Sequence, residues 1–304
     1  MLRKILLYLS QAGWARAIVT YFFLARRVAR RFVAGEKMDD AIQVTHDLNK
    51  KGLLVTLDYL GESVQQVEDT EDVVNTYCQL LHRIQSEKLQ ASISLKLTHL
   101  GLDISKELCI NNLRKILLVA GDIPVTIDME SSHYTDITLR IFRQMHTEFL
   151  NVGTVIQSAL RRSREDMQQL AAEGARIRLC KGAYLEPETI AFPKKSDVDA
   201  HYITIMDEFL QHVPPAYLDI ATHDEAMITA ALEIIEKYHV PQEGYEFQML
   251  YGIRSNRQLE LAAAGYKMRV YVPFGTAWYP YFMRRLAERP ANLWFFVRSL
   301  FNWN

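Results

Sequence analysis

The feature that most constrains this chain is a series of eight short segments, rich in β-branched and other apolar residues, that recur between residues 53 and 275. The stretches between them carry apolar residues three and four positions apart, a spacing that predicts helices. Eight strands alternating with helices over this length are typical of an α/β fold of the (β/α)8 TIM-barrel type. The predicted strands are LLVTLDYL (53–60), SISLKLTHL (92–100), PVTIDME (124–130), NVGTVIQS (151–158), ARIRLCKG (175–182), AYLDIATH (216–223), YEFQML (245–250) and KMRVYVPFG (267–275).

A doubly wound sheet is the main alternative to a barrel. Such a sheet would carry a glycine-rich phosphate-binding turn after its first strand. No two of the 13 glycines are separated by a single residue, and the pattern GK[ST] does not occur. The sequence therefore gives no support to nucleotide binding of the Rossmann or P-loop type.

Polar residues at the predicted carboxyl ends of the strands indicate a functional site, because barrel enzymes carry their active sites at that end. A buried charge is costly unless it is paired or bound to a ligand. The alternative to a functional role, for any one of these residues, is membership of a network of paired charges that caps the barrel. The predicted rim residues are Asp58, Lys96, Asp128, Gln157, Arg178, Lys181, His223, Gln248 and Tyr271.

The segment YPYFMRRLAER (279–289) follows the eighth predicted strand. Pro280 suits the first turn of a helix, and Pro290 limits that helix to about Glu288. Tyr281, Arg284, Arg285 and Glu288 share one helix face because they lie at offsets 0, 3, 4 and 7. Two adjacent guanidinium groups match a carboxylate or a phosphate. An exposed helix face with ion pairs is the alternative.

Charge distribution separates the N-terminus from the rest of the chain. The net charge is −1, which predicts no nucleic-acid partner, but eight of the 35 Lys and Arg residues fall within residues 1–37. Aromatic residues interleave with them, so a helix here would suit an anionic membrane interface. Packing of this helix against its own domain is an alternative of equal weight. The apolar run at 17–25 is far shorter than the ~20 residues of a membrane span.

Cysteine and histidine usage indicates the compartment and excludes some chemistry. The three cysteines are far apart, and the nine histidines form no HxH or HExxH cluster. An odd number of unclustered cysteines favours a reducing compartment, and neither residue type shows metal-ligand spacing. We therefore expect no metal site, and a cytoplasmic protein that can lie peripherally on the inner face of the cell membrane through residues 1–33.

Six segments resemble the motifs of the proline dehydrogenase family in its short, monofunctional bacterial form. Each is a weak signal alone, but six in family order from about residue 40 to residue 300 are specific. The chain departs from the family pattern at Ser131, Phe274 and Ala277, none of which belongs to the proposed substrate site. The segments are SLKLTHLG, TIDMESSHYT, RLCKGAYLEP, ATHD, YEFQMLYGIR and YVPFGT…YFMRRLAERPAN.

This resemblance implies a distorted barrel whose final helix caps the mouth and which holds FAD non-covalently. The charge pattern predicts a basic amphipathic helical arm at residues 1–40, and the resemblance implies an FAD-binding barrel domain at residues 41–304. The implied reaction is oxidation of L-proline to Δ1-pyrroline-5-carboxylate, with hydride transfer from proline C5 to flavin N5 and reoxidation by a membrane quinone.

The resemblance also assigns residues to roles. Asp128 and Arg178 match catalytic positions, and Arg178 also matches a position near flavin N5. The implied substrate-binding residues are Lys96, Arg284, Arg285, Tyr271, Tyr281 and Glu288. The implied cofactor-binding residues are Met129, Gln157, Arg178, Lys181, Gly182, Ala183, Thr222 and His223. Arg254 is a weaker candidate near the flavin or the entrance.

Two rival interpretations account for part of the pattern. In the first, Lys96 forms a Schiff base in a flavin-free aldolase-like barrel, which leaves the flavin-contact positions unexplained. In the second, the chain is a membrane-bound scaffold built on an inactive barrel. The charged residues at the predicted rim argue against a scaffold.

Overall fold

Eight parallel strands pair in sequence order and close into a barrel in the computed structural model, which describes the backbone of residues 30–288 and the side chains of residues 30–285. All eight predicted strands are confirmed. The strands are β1 Leu54–Tyr59, β2 Ala91–Leu95, β3 Val125–Ile127, β4 Val152–Gln157, β5 Arg176–Cys180, β6 Tyr217–Ala221, β7 Tyr245–Leu250 and β8 Met268–Phe274.

The second strand is shorter than predicted, because it ends at Leu95 and residues 97–100 form a turn. The backbone N–H of His99 donates to the Lys96 carbonyl at 3.2 Å, a bond between residues three apart. Thr98 donates its backbone N–H to Glu130 at 3.2 Å instead of to a strand. This turn is as buried as a strand, so apolar alternation alone does not distinguish the two.

Nine α-helices lie within residues 30–288, and none of them is both long enough and apolar enough to cross a membrane. They are α1 Met38–Asn49, α2 Val67–Ser86, α3 Lys106–Ala120, α4 Thr135–His146, α5 Ser163–Ala172, α6 Lys195–Leu210, α7 Glu225–Tyr238, α8 Ser255–Ala263 and α9 Trp278–Glu288.

The first helix occupies the place that the last helix takes in a regular barrel. Helix α1 precedes β1, yet it packs against both β1 and β8. The helix that follows β8 is therefore displaced from the barrel wall. Helix α9 instead reaches the carboxyl end of the strands, where Arg284 bonds to Glu62 in the loop after β1. The predicted cap over the barrel mouth is confirmed.

The lower half of the barrel interior is filled with paired charges where most barrels carry aliphatic layers. Asp219 on β6 accepts two hydrogen bonds from Arg176 on β5, at 2.8 and 3.2 Å. Glu246 on β7 accepts from Arg269 on β8 at 3.0 Å and lies 3.2 Å from Arg176. Two arginines, on β5 and β8, therefore neutralise two carboxylates on the strands between them inside the barrel.

Glu246→Gln is expected to lower the free energy of unfolding by about 3–5 kcal/mol, because it leaves buried Arg269 without its counter-charge. Burial alone would raise the pKa of Glu246, but the charges of Arg269 and Arg176 outweigh it and lower this pKa. The stabilisation is therefore complete above the unfolded-state pKa of about 4.5 and is lost as the pH falls towards the folded-state pKa.

Urea unfolding of wild type and variant across this pH range measures the effect. The gap between the two proteins should shrink as the pH falls below 4.5. Glu148→Gln is the matched control, because Glu148 pairs with Arg114 on the exposed outer surface and should contribute little. A gap that stays constant on acidification would contradict the assignment.

Candidate active site

The carboxylate of Asp128, directly after β3, joins three strands at the upper end of the barrel interior. Its Oδ1 accepts from Arg178 Nη1 at 2.7 Å and from Ser94 Oγ at 2.6 Å. Its Oδ2 accepts from the Tyr271 hydroxyl at 2.7 Å. Burial raises the pKa of Tyr271 well above its usual value, so the phenol stays a neutral donor. The structure thus brings the predicted residues Asp128, Arg178 and Tyr271 together.

Arg178 is held on two sides and presents one donor that the described residues do not use. Its Nε donates to Gln248 Oε1 at 2.7 Å, and its guanidinium carbon lies 5.2 Å from the centre of the Tyr271 ring. Its Nη2 is buried and has no hydrogen-bond partner among residues 30–288. An unused buried donor is costly, so this position suits an acceptor atom of a bound group.

Lys96 lies directly after β2 and is paired with two carboxylates. Its Nζ is 3.3 and 3.4 Å from the oxygens of Asp58 and 3.9 Å from Asp128. Burial alone would lower the pKa of Lys96, but the two carboxylates outweigh it and raise this pKa. Burial, and the nearby charge of Asp128, raise the pKa of Asp58 even against Lys96. Lys96 is therefore a stable cation.

This protonation state bears on the aldolase-like alternative. A Schiff-base lysine must lose its proton to attack a carbonyl, and active sites favour that loss by lowering the pKa. The environment of Lys96 does the opposite. The geometry therefore favours Lys96 as an anion-binding group over Lys96 as a nucleophile.

Helix α9 carries the predicted arginine pair to the mouth of the barrel. Arg284 Nη1 donates to Glu62 at 3.1 and 3.3 Å. The guanidinium carbon of Arg285 lies 5.1 Å from the centre of the Tyr281 ring, and Tyr281 is buried. Glu288 ends the helix, but its side chain lies outside the described part, so its predicted contact with an arginine stays a prediction.

The predicted cofactor residues line the ends of β3 to β6. Gln157 ends β4 and donates to the Glu130 carbonyl at 2.7 Å. Gly182 follows β5 with a φ of +104°, and a Cβ there would lie 2.7 Å from Gln157 Oε1. The positive φ, which L side chains rarely adopt, therefore favours glycine at this turn. Ala183 is next along the chain, and Met129 is buried directly after β3.

Two further predicted positions follow β6. Thr222 Oγ1 accepts from the Asp224 backbone N–H at 3.1 Å. His223 Nε2 accepts from the Leu250 N–H at 2.9 Å, which assigns the imidazole proton to Nδ1. Arg254 donates to the His223 carbonyl at 2.8 Å. His223 is thus held in one orientation at the rim.

Lys181 takes part in a charged cluster at the same rim. Its Nζ lies 2.5 Å from Asp199 and 2.7 Å from Asp224, and Lys195 also pairs with both carboxylates. This arrangement fixes the ammonium group of Lys181 beside the Gly182 turn.

The site therefore has two halves, and the residues centred on Asp128 lie between them. One half runs along the ends of β3 to β6 and contains all the predicted cofactor positions. The other half comprises Lys96 after β2, Tyr271 on β8 and the cap helix α9. It contains every predicted substrate position whose side chain is described.

Some site residues escaped the sequence analysis. Glu62, the partner of Arg284, stands in the TLDYLGES stretch, whose position after β1 was the only available signal. Ser94 lies two residues before Lys96, in the segment SISLK. Glu130 accepts from Thr98 N and Oγ1 at 3.2 and 2.7 Å, and burial raises the pKa of Glu130 to about 7. The spacing of residues along the sequence does not identify partners that lie far apart in the chain.

Comparisons with known proteins agree with this geometry. The family model described as proline dehydrogenase matches residues 41–298. Proline dehydrogenase 1 of Bacillus subtilis (strain 168) is 43% identical over 306 residues, covering 99% of each chain. Proline dehydrogenase of Deinococcus radiodurans is 38% identical over 281 residues, covering 90% of each.

Solved structures support the same fold. Proline utilization A (PutA) from Bdellovibrio bacteriovorus, inactivated by N-propargylglycine, superposes with a TM-score of 0.79 at 27% identity, over 86% of this chain and 32% of that chain. PutA from Corynebacterium freiburgense gives a TM-score of 0.75 at 22% identity, over 98% of this chain and 34% of that chain. The chain thus spans about a third of the length of these PutA chains.

Lys96→Met is expected to lower the free energy of unfolding by about 3–5 kcal/mol, because it leaves the buried Asp58 carboxylate without a counter-charge. Adding Asp58→Asn should recover much of that loss, because the double variant buries no unpaired charge at this place. Denaturant unfolding of both single variants and the double variant measures the coupling. Strictly additive losses would show that the pair is not a unit.

Proposed function

This chain belongs to the proline dehydrogenase family, and we propose that it catalyses the FAD-dependent oxidation of L-proline to Δ1-pyrroline-5-carboxylate, the first step of proline catabolism to glutamate, with a membrane quinone as electron acceptor. The observation that carries this proposal is the placement of Arg284, which bonds from the cap helix to Glu62 after β1, at the end of the barrel where Lys96 follows β2. Two cations converging there suit a small anionic substrate.

The carboxylate of proline is the group these cations would bind. Arg284 approaches the barrel mouth from α9 and Lys96 lies directly after β2, and we propose that Arg285, adjacent to Arg284 on α9, joins them when substrate binds. The guanidinium fork gives paired hydrogen bonds to a carboxylate. Glu62 holds Arg284 in the described structure, so substrate binding would compete with, or share, that ion pair.

The pyrrolidine ring requires an apolar site beside this anion receptor. Tyr271 and Tyr281 would supply aromatic walls; Tyr271 is half-buried and Tyr281 is buried. The hydrogen bond from the Tyr271 hydroxyl to Asp128 fixes the outer end of this side chain. Fixing the substrate at both carboxylate and ring contributes to the rate by orientation.

The residues present fit FAD. The unused Nη2 donor of Arg178, the open Gly182 turn beside Gln157 and the fixed ammonium group of Lys181 suit a polar ring system and an anionic chain. When bound, FAD supplies the acceptor for the hydride of proline C5. Arg178 would hold the flavin at its hydride-accepting end. A cation at that position stabilises the negative charge that develops on the acceptor.

Asp128 has a positioning role within this proposal. It orients Arg178 and the Tyr271 phenol at once, so the cofactor half and the substrate half of the site share one anchor. The proline amine must also lose a proton during oxidation. Solvent would accept this proton.

The absorption spectrum tests the proposal. We expect a yellow protein whose flavin band bleaches when L-proline is added without oxygen, and recovers when a short-chain quinone is then added. D-proline serves as the control, since the carboxylate would point away from the arginines. A colourless protein that borohydride traps on a carbonyl substrate would overturn the proposal in favour of the aldolase-like alternative.

Arg285→Met should raise the KM for L-proline by roughly 10- to 100-fold, the effect of losing a charged hydrogen bond, while FAD stays bound. Steady-state kinetics and the flavin-to-protein ratio measure the two effects. Arg143→Met is the matched control, because Arg143 pairs with Glu173 on the outer helices. Unchanged kinetics in Arg285→Met would remove this residue from the carboxylate site.

A further inference from the structure

Residues 30–37, here called the strap, form neither helix nor strand and lie against the chain that leads into α9. The Ala34 N–H donates to the Pro273 carbonyl at 2.9 Å, and the Gly275 N–H donates to the Gly35 carbonyl at 2.9 Å. These two backbone bonds attach the strap to the end of β8 and to the turn after it. The strap is therefore fixed directly beside the start of the cap helix.

Side chains of the strap also contact α9 itself. The Phe32 and Phe282 ring centroids are 6.2 Å apart, and both side chains are buried, with 5% and 0% of their surface exposed. The Trp278 indole Nε1 donates to Glu36 Oε1 at 3.3 Å. Trp278 in turn packs edge-on against Phe282 at 6.1 Å. The strap thus contacts two residues that lie one helical turn apart.

The strap also contacts the turn after β7. Gly252, in the turn between β7 and α8, has a φ of +72°, and a Cβ there would lie 1.7 Å from the Arg31 carbonyl oxygen. Backbone therefore approaches backbone at this point, which only glycine permits. The strap has little freedom to move away from α9.

The contacts between the strap and α9 lie outside the main core. Within the described residues, Phe32, Trp278 and Phe282 are buried but do not belong to the continuous core formed by the strands and the outer helices. Phe282 packs on both Phe32 and Trp278. The strap therefore supplies part of the apolar surface that locates α9.

We propose that the strap sets the position of the substrate-binding face of α9, and that Phe32 and Glu36 are positioning residues for the carboxylate site. Arg285 lies seven residues after Trp278 and three after Phe282, on the face that contacts the strap, and Tyr281 and Arg284 lie on the neighbouring face. A shift of α9 on the strap therefore moves both arginines relative to Lys96. This inference rests on the proposed function, because the arginines are the proposed carboxylate receptor.

Two pairs of variants test the proposal in the full chain with FAD bound. Phe32→Ala removes the ring that Phe282 packs on, and Phe32→Leu keeps most of its volume. Glu36→Ala removes the acceptor for Trp278, and Glu36→Gln keeps an oxygen there. We expect each Ala variant to raise the KM for L-proline by roughly 10- to 100-fold, the effect of misplacing a binding group by about 1 Å, with a smaller change in kcat. The conservative variants should recover most of the wild-type KM.

Phe209→Ala is the control for a general loss of packing. Phe209 lies on α6, is 2% exposed and belongs to the main core. This variant should lower stability without a selective rise in KM. A KM rise of equal size in Phe209→Ala would overturn a specific role for the strap.

Hydrogen–deuterium exchange gives a readout that does not depend on proline oxidation. In Phe32→Ala and Glu36→Ala, amides of residues 278–285 should exchange faster while the strand amides keep their protection. Faster exchange in a protein that does not oxidise proline would refute the proposed function and leave the strap's structural role standing. Unchanged exchange at α9, or faster exchange with an unchanged KM, would overturn the positioning role.

Discussion

The hydrogen bonds of Asp128 to Arg178, Ser94 and Tyr271 connect β3, β5, β2 and β8 across the barrel interior. A buried carboxylate is tolerated only when its oxygens are satisfied, and here the three donors come from three different strands. The strands are therefore joined through their side chains as well as through their backbone ladders. The geometry of the candidate site and the closure of the barrel consequently depend on the same contacts.

Charge pairing inside the barrel also explains how the site tolerates so many cations. Below the site, Arg176 and Arg269 are neutralised by carboxylates of neighbouring strands, Asp219 and Glu246. Above them, Lys96 forms ion pairs with two carboxylates, Asp58 and Asp128. The interior is thus a stack of polar layers, and only its top layer opens towards the mouth. Ligand binding requires no new buried charge beyond that of the ligand itself.

The sequence predicted the barrel because strand and helix periods are local properties. Each strand occupies a few residues whose alternation is visible, and the differences lie at the strand ends, above all where β2 stops at Leu95 before a buried turn and β3 stops at Ile127. It also placed Asp128, Arg178 and Tyr271 at one rim, because residues at the ends of parallel strands converge. What local spacing does not contain is the identity of partners brought together by closure. Glu62 and Arg284 are separated by 222 residues, and no pattern around either one names the other.

The placement of the cap helix follows from the order of elements, not from its own sequence. Because α1 fills the groove between β1 and β8, the helix after β8 has no place in the barrel wall. Its apolar side chains must then be buried elsewhere, and the strap that precedes α1 supplies that surface. The same rearrangement frees the polar face of α9 to meet the strand ends, where Arg284 finds Glu62. Under the proposed function, a substrate carboxylate arriving there would meet a guanidinium that is already largely desolvated and held in place by its ion pair with Glu62. The carboxylate would compete with Glu62 or share that ion pair, so the fold meets the cost of burying the arginine before the substrate arrives.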